Sequence, residues 1–253
     1  MGAATSETAP MRRPIIGRLV PVVLFAVAIV FLIGALAIVL SRRGGQASTN
    51  QIRASGIPAS VSTRTANLMA LSPIPHKPAP GFVLTDQLGR RLSLSSFRGK
   101  VVVLEFMDPH CVDICPLVSD EFRDAYKDLG TKAHDVVFIA VNVNQYHRRV
   151  ADMLAFSREH QLVTIPSWHF FTGPVPSLKH VWASYNVAVS APNPNADIVH
   201  ASFVYFIDPQ GHERFLASPM VDHTKTNKAY LPASQLTAWG RGIALVAENL
   251  AKH

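Results

Sequence analysis

Lys100-Val101-Val102-Val103-Leu104-Glu105-Phe106-Met107-Asp108-Pro109-His110-Cys111-Val112-Asp113-Ile114-Cys115-Pro116 is the stretch on which the fold turns. Its first half, KVVVLEFM, is β-branched, nearly continuous and of strand length, the pattern of a strand buried on both faces. Its second half holds both cysteines of the chain. Pro116 then opens a run in which Val118, Phe122, Tyr126 and Leu129 recur on one helical face. A buried strand feeding a helix through a short loop begins an α/β unit.

The pattern continues on both sides. Asp135 to Val143 (DVVFIAVNV) reads as a second buried strand, and residues 146–160 as a helix. Gly173-Pro174 marks a break before a helix over 176–185, and Ala201 to Asp208 (ASFVYFID) reads as a third long strand. Pro209-Gln210-Gly211 then turns the chain into Arg214-Phe215-Leu216. Upstream, Phe82-Val83-Leu84 and Leu92-Ser93-Leu94 flank Asp86-Gln87-Leu88-Gly89, a hairpin. Leu236, Trp239, Ile243, Val246 and Leu250 form the apolar stripe of a closing helix. The expectation is one α/β domain over residues 81–253, a sheet with helices on both faces.

The amino-terminal third has a different character. Leu19 to Leu40 contains 22 residues without a charge. As a helix they would extend about 33 Å, enough for a hydrocarbon core of about 30 Å. The run is longer than a signal-peptide core and is followed by Ser41-Arg42-Arg43 rather than a small-residue cleavage site, which favours a retained transmembrane anchor. Residues 1–18 then form a short cytoplasmic tail, and everything after the anchor lies outside the membrane. Residues 41–80 are poor in apolar bulk, with prolines at 58, 73, 75, 78 and 80, and are expected to be a flexible tether.

Composition narrows the function classes. With 48% hydrophobic and 16% charged residues among 253, the chain is neither disordered nor a disulfide-dense mini-protein. The net charge of +7 is partly local, because residues 1–43 carry five arginines against Glu7. It therefore gives no support to nucleic-acid binding, which needs basic residues clustered on one face.

The chemistry sits in the cysteines. Pro116 suits the first position of its helix, which makes Cys115 the cap and leaves Cys111 in the preceding loop. The positive end of a helix favours thiolate over thiol, so both sulfurs are expected to be acidic. Such a pair can close a disulfide, if the loop brings the Cα atoms to about 4.4–6.8 Å, or bind a soft metal. A purely structural disulfide would contribute little, because the loop it closes is short.

Two resemblances sharpen this reading. Gly81 to Phe106 resembles the opening of thioredoxin-like redoxins, with Asp86, Gly89, Leu94, Gly99 and Lys100 in the usual places. Cys111-Val112-Asp113-Ile114-Cys115-Pro116 resembles the C-x-x-x-C-P motif of the Sco/SenC family, membrane-anchored copper chaperones for cytochrome c oxidase. The resemblance implies a thioredoxin-like sheet and a copper site, Cu(I) or Cu(II), made by Cys111, Cys115 and a distant histidine. His200, in VHASFVYFIDPQG, stands at that histidine's place. The implied partner is the copper-receiving subunit of a respiratory oxidase. This chain departs from the family by having Asn142-Val143-Asn144-Gln145-Tyr146-His147 where an Asp-rich segment is usual. The stretch after Met220 has no family counterpart.

Other chemistries fit less well. A peroxiredoxin needs a proline seven residues and a threonine three residues before its cysteine, where this chain has Leu104 and Asp108. A thioredoxin-type reductase has two residues between its cysteines rather than three, and carries a proline before the strand that here begins near Ala201. His110 is a reserve ligand, while Met107 and Met220 read as packing more than as thioether donors. The expectation is a copper carrier rather than an enzyme. The alternative is a membrane-tethered thiol–disulfide oxidoreductase using Cys111 and Cys115.

Overall fold

Alternation along β4 (Val101–Met107) divides the core into two layers. Val101, Val103 and Met107 face one hydrophobic cluster, and Val102, Leu104 and Phe106 face the other. A computed structural model describes residues 55–252 of the chain, all within one compact unit, Ile52–His253. The expected cytoplasmic tail and anchor (1–18 and 19–40) lie outside the described residues. Among the described residues no helix is long and apolar enough to cross a membrane.

The chain order is α1 (Thr63–Leu68), β1 (Ser72–Pro78), β2 (Val83–Thr85), β3 (Arg91–Ser93), β4, α2 (Ile114–Leu129), β5 (Val136–Asn142), α3 (Val150–Glu159), β6 (Trp168–Phe171) and α4 (Val175–Ser184). It continues through β7 (Val189–Ser190), β8 (Val199–His200), β9 (Val204–Ile207), β10 (His212–Ala217), β11 (Asp222–His223), β12 (Ala229–Tyr230) and α5 (Ala233–Leu250). The main sheet has the order β1-β10-β9-β4-β5-β6. β4, β5 and β6 are parallel, and β9, β10 and β1 join antiparallel to their neighbours. One face is covered by α1, α2, α3 and α5, the other by α4 and the β2–β3 hairpin. This is the mixed α/β sheet, helical on both faces, that the sequence predicts.

The tether expectation fails for residues 55–80. Ile57, Val61, Ala66, Met69 and Leu71 are buried in the core, and β1 pairs with β10 at the sheet edge. An edge strand tolerates prolines because half of its backbone groups face away from the ladder. The register accordingly shifts between Pro73 and Lys77. The domain boundary therefore lies upstream of residue 81. α1 is seated by an unusual approach: a Cβ on Gly242 of α5 would stand 2.2 Å from Met69 Sδ, and one on Gly240 would stand 2.6 Å from Asp124 Cβ of α2. Glycine at both places lets α5 press against α1 and α2 at once.

β6 is a strand the sequence pattern did not reveal. Its exposed edge is satisfied by one side chain from the hairpin turn. Gln87 Nε2 donates to Trp168 O (2.9 Å), and Phe170 N donates to Gln87 Oε1 (2.8 Å). The strand expected over 201–208 is shorter, Val204–Ile207, because residues 199–200 leave the main sheet to pair with β7. That departure frees the His200 segment from the ladder and carries it to the end of β4.

Candidate metal centre

β4 ends at Met107 and releases a loop above the carboxyl ends of the parallel strands, where ligand sites of α/β sheets gather. Asp108 organises this loop. Its Oδ1 accepts from His110 N (2.9 Å) and from Asn144 Nδ2 (3.0 Å), which ties the β4–α2 loop to the β5–α3 loop. Asn144 Oδ1 in turn accepts from the backbone of Tyr146 (2.9 Å) and His147 (3.1 Å). Neither Asp108 nor Asn144 carries a signal in the sequence that marks it as a support; the pairing is visible only across loops 36 residues apart.

α2 begins at Ile114, so Asp113 and not Cys115 is its cap, and Cys115 lies within the first turn. The Asp113 side chain makes no capping bond; it meets His223 Nε2 at 2.9 Å instead. The amide left open is taken by sulfur: Cys115 N donates to Cys111 Sγ at 3.4 Å. Both cysteines are free thiols, Cys111 half-buried and Cys115 buried.

The two sulfurs are not equally acidic, which corrects the expectation that the helix end would serve both. A hydrogen bond from the Cys115 thiol brings Cys111 down to about 7, helped by the Cys115 and Asp113 amides and opposed by burial. Cys115 is pushed well above the ordinary thiol value, because it is the donor in that pair, is fully buried, and sits near the negative charge of Cys111. The pair thus holds one thiolate and one thiol near neutrality.

Beneath it lies Glu105, a buried carboxyl on β4. Ser202 Oγ donates to its Oε1 at 2.8 Å, and Oε2 has no hydrogen-bond partner. Burial raises its pKa to about 8, so it is protonated at neutral pH. Ser202 stands two residues after His200, and this bond holds the histidine's segment against β4. His200 itself is half-buried, and burial lowers it below the ordinary imidazole value. Its Nδ1 lies 3.0 Å from Ala201 O. A carbonyl only accepts, so the neutral ring carries its proton on Nδ1 and leaves the Nε2 lone pair for a metal.

Cys111 and His200 line one cavity of about 680 Å³, which His110, His147 and His223 also border. The structure brings Cys111 and His200 to this cavity, whereas Cys115 is buried and does not line it. Cys111, Cys115 and His200 are not among the sets whose ligand atoms all lie within 4.8 Å of one another among the described residues. Met107 is buried in the core and Met220 is exposed; neither lines the cavity. Val112, 90% exposed, and Val199, 66% exposed, form an apolar rim at its mouth.

Comparison with known proteins agrees with this architecture. Residues 75–229 match the SCO1/SenC family model, which covers more than half of the chain. The chain is 27% identical over 132 residues to the SCO1 protein homolog of Bacillus subtilis, a match spanning 51% of this chain and 68% of that protein. It is 32% identical over 138 residues to the mitochondrial protein SCO2 of Saccharomyces cerevisiae, spanning 51% of this chain but only 44% of the relative. A shorter match, 34% identical over 83 residues, is to a chloroplastic peroxiredoxin Q of Sedum lineare, with 33% of this chain and 41% of that protein covered. Among solved structures, Bradyrhizobium japonicum ScoI with copper bound superposes with a TM-score of 0.54 at 22% identity, covering 69% of this chain and 99% of that one. Apo Sco1 of Thermus thermophilus gives 0.53 at 22% identity, covering 70% and 94%. These superpositions establish the shared thioredoxin-like fold, and with the family match they show that the chain belongs to the SCO1/SenC family.

Proposed function

We propose that this protein is a membrane-anchored, extracytoplasmic copper carrier that delivers copper to the copper-receiving subunit of a respiratory oxidase. Cys111, Cys115 and His200 are the ligands of this reading, and copper is the cargo. The observation that carries it is one cavity combining a half-buried sulfur acidified to about 7 with a neutral imidazole whose Nε2 is free. Two sulfurs and one imidazole suit Cu(I) and also accept Cu(II). Ligands of one ion stand closer together than these side chains do, so loading draws the β7–β8 ribbon and His200 toward the sulfurs. That ribbon is a two-residue pairing outside the main sheet, which makes it the element free to close.

An ion held at a cavity mouth and released when its thiols oxidise suits transfer, and Val112 and Val199 offer the recipient an apolar contact there. The uncharged run at 19–40 would keep the site near a membrane-embedded recipient. Copper stoichiometry on the purified protein and on Cys111→Ala, Cys115→Ala and His200→Ala tests the reading. Cys111→Ala and Cys115→Ala should lose bound copper, His200→Ala should hold it more weakly through the two sulfurs, and unchanged binding in all three would end the reading.

The split between the two thiols favours a second reading, a thiol–disulfide oxidoreductase. In that chemistry the Cys111 thiolate attacks a substrate disulfide and expels one thiolate. Cys115, deprotonated, then attacks the mixed disulfide, releasing the second substrate thiol and leaving an oxidised Cys111–Cys115 pair. Turnover of a disulfide substrate that survives His200→Ala would support it.

A further inference from the structure

We infer that His110, His147 and Asp152 form a second metal site, for Cu(II) or Zn(II), at the lip of the cavity that holds Cys111. The ligand atoms of these three side chains all lie within 4.8 Å of one another, one from each of two loops and one from α3. The two imidazoles face each other with ring centroids 3.9 Å apart and planes inclined by 35°. Asp152 is buried, and His147 is half-buried. Two imidazoles and a carboxylate, with no sulfur, select a borderline divalent ion and not Cu(I).

The scaffold is already assembled. The backbones of His110 and His147 hang on the Asp108–Asn144 bridge, through His110 N to Asp108 Oδ1 and His147 N to Asn144 Oδ1. Asp152 is held by Arg149, whose Nη2 donates to Oδ1 at 2.7 Å and whose backbone N and Nε donate to Oδ2 at 3.2 and 3.3 Å. Arg149 is 80% exposed while Asp152 is buried, and with one bond to Oδ1 and two to Oδ2 it is Oδ1 that keeps a lone pair for an ion. Around a tetrahedral ion with bonds of about 2.0–2.1 Å the ligand atoms stand about 3.3 Å apart, so binding draws these three, already within 4.8 Å, closer together. His147 lies in the segment where this chain departs from its family, and the inference does not require the sulfur site to bind copper.

The test uses the detergent-purified full chain carrying Cys111→Ser and Cys115→Ser, titrated with Cu(II) and, separately, Zn(II). The expected result is an equivalent of bound metal whose Cu(II) resonance spectrum shows nitrogen and oxygen ligands and no thiolate absorption. Adding His147→Ala, or His147→Gln should alanine disturb the circular dichroism, should weaken that binding at least tenfold, and His110→Ala should do the same. His180→Ala, an exposed histidine outside the cluster, should change nothing. Absence of binding at micromolar metal in the cysteine-free chain overturns the inference. So does binding unchanged by His147→Ala or His147→Gln in a folded chain, or an equal loss at His180→Ala.

Discussion

Replacing Glu105 by glutamine removes one titrating group and places a buried amide NH2 where Oε2 has no hydrogen-bond partner, an offset that does not vary with pH. Ser202 Oγ donates to Glu105 Oε1, and an amide oxygen accepts the same bond. The carboxyl ordinarily titrates at 4.5 and here titrates at about 8, because burial disfavours its charge. Between those values the folded chain holds a proton that the unfolded chain has lost. A raised carboxyl therefore contributes stability that is complete below pH 4.5 and lost as pH rises toward 8. At about 1.4 kcal/mol per pH unit, the wild type should lose on the order of 3 kcal/mol relative to Glu105→Gln between the ordinary carboxylate value and pH 7. The total approaches about 5 kcal/mol at pH 8 and levels off above it. Groups that do not interact with Glu105 cancel in the difference, whereas Cys115, Glu121 and Tyr205 feel its charge. Glu121 acts in the same direction, since it is buried without a hydrogen-bond partner and raised by burial and by Glu105. Urea unfolding of both full chains at pH 5, 6, 7 and 8 measures it. A difference between the two chains that grows by on the order of 3 kcal/mol from pH 5 to pH 8 is the expected result. Parallel curves would show that Glu105 is ionised in the folded chain, and would refute the reasoning.

Two further outcomes follow from other parts of the structure. Alkylation of the native reduced chain should label Cys111 with a rate that rises through a midpoint near pH 7, while buried Cys115 stays unlabelled until the chain unfolds; a midpoint near 9 would mean that no hydrogen bond reaches the Cys111 sulfur. Gly242→Ala should destabilise the chain by about 1–3 kcal/mol, although alanine is the better helix former by about 1 kcal/mol, because its Cβ would overlap Met69 Sδ. Thermal unfolding checks this, and a stabilised variant would place α1 elsewhere.

The parts of the fold legible in the sequence are those whose burial is two-sided or periodic. β4 and β5 announce themselves as β-branched runs, and α5 as an apolar stripe. β6 is four residues, three aromatic and one histidine, and it is completed by Gln87 from far upstream, so no local period marks it. The α1–β1 segment misleads because its prolines signal a linker, while five widely spaced apolar residues do the packing. Pattern reading cannot distinguish an edge strand with prolines from a coil, since both lack ladder donors.

The site divides in the same way. Cys111 and Cys115 are legible because their spacing and Pro116 fix them at a strand-to-helix junction. His200 is legible only through family resemblance, since its approach depends on β8 leaving the main sheet. The inequality of the two thiols was hidden, because it rests on which sulfur accepts the Cys115 amide and which is buried. Asp108, Asn144, His147 and His223 enter through contacts between loops distant in the chain.

X-ray absorption at the copper edge of the Cu(I)-loaded full chain tests the central claim most directly. Two sulfur scatterers and one imidazole nitrogen are expected, with the imidazole contribution lost in His200→Ala while both sulfurs remain. A copper shell without sulfur, or one whose nitrogen is unaffected by His200→Ala, would contradict the account.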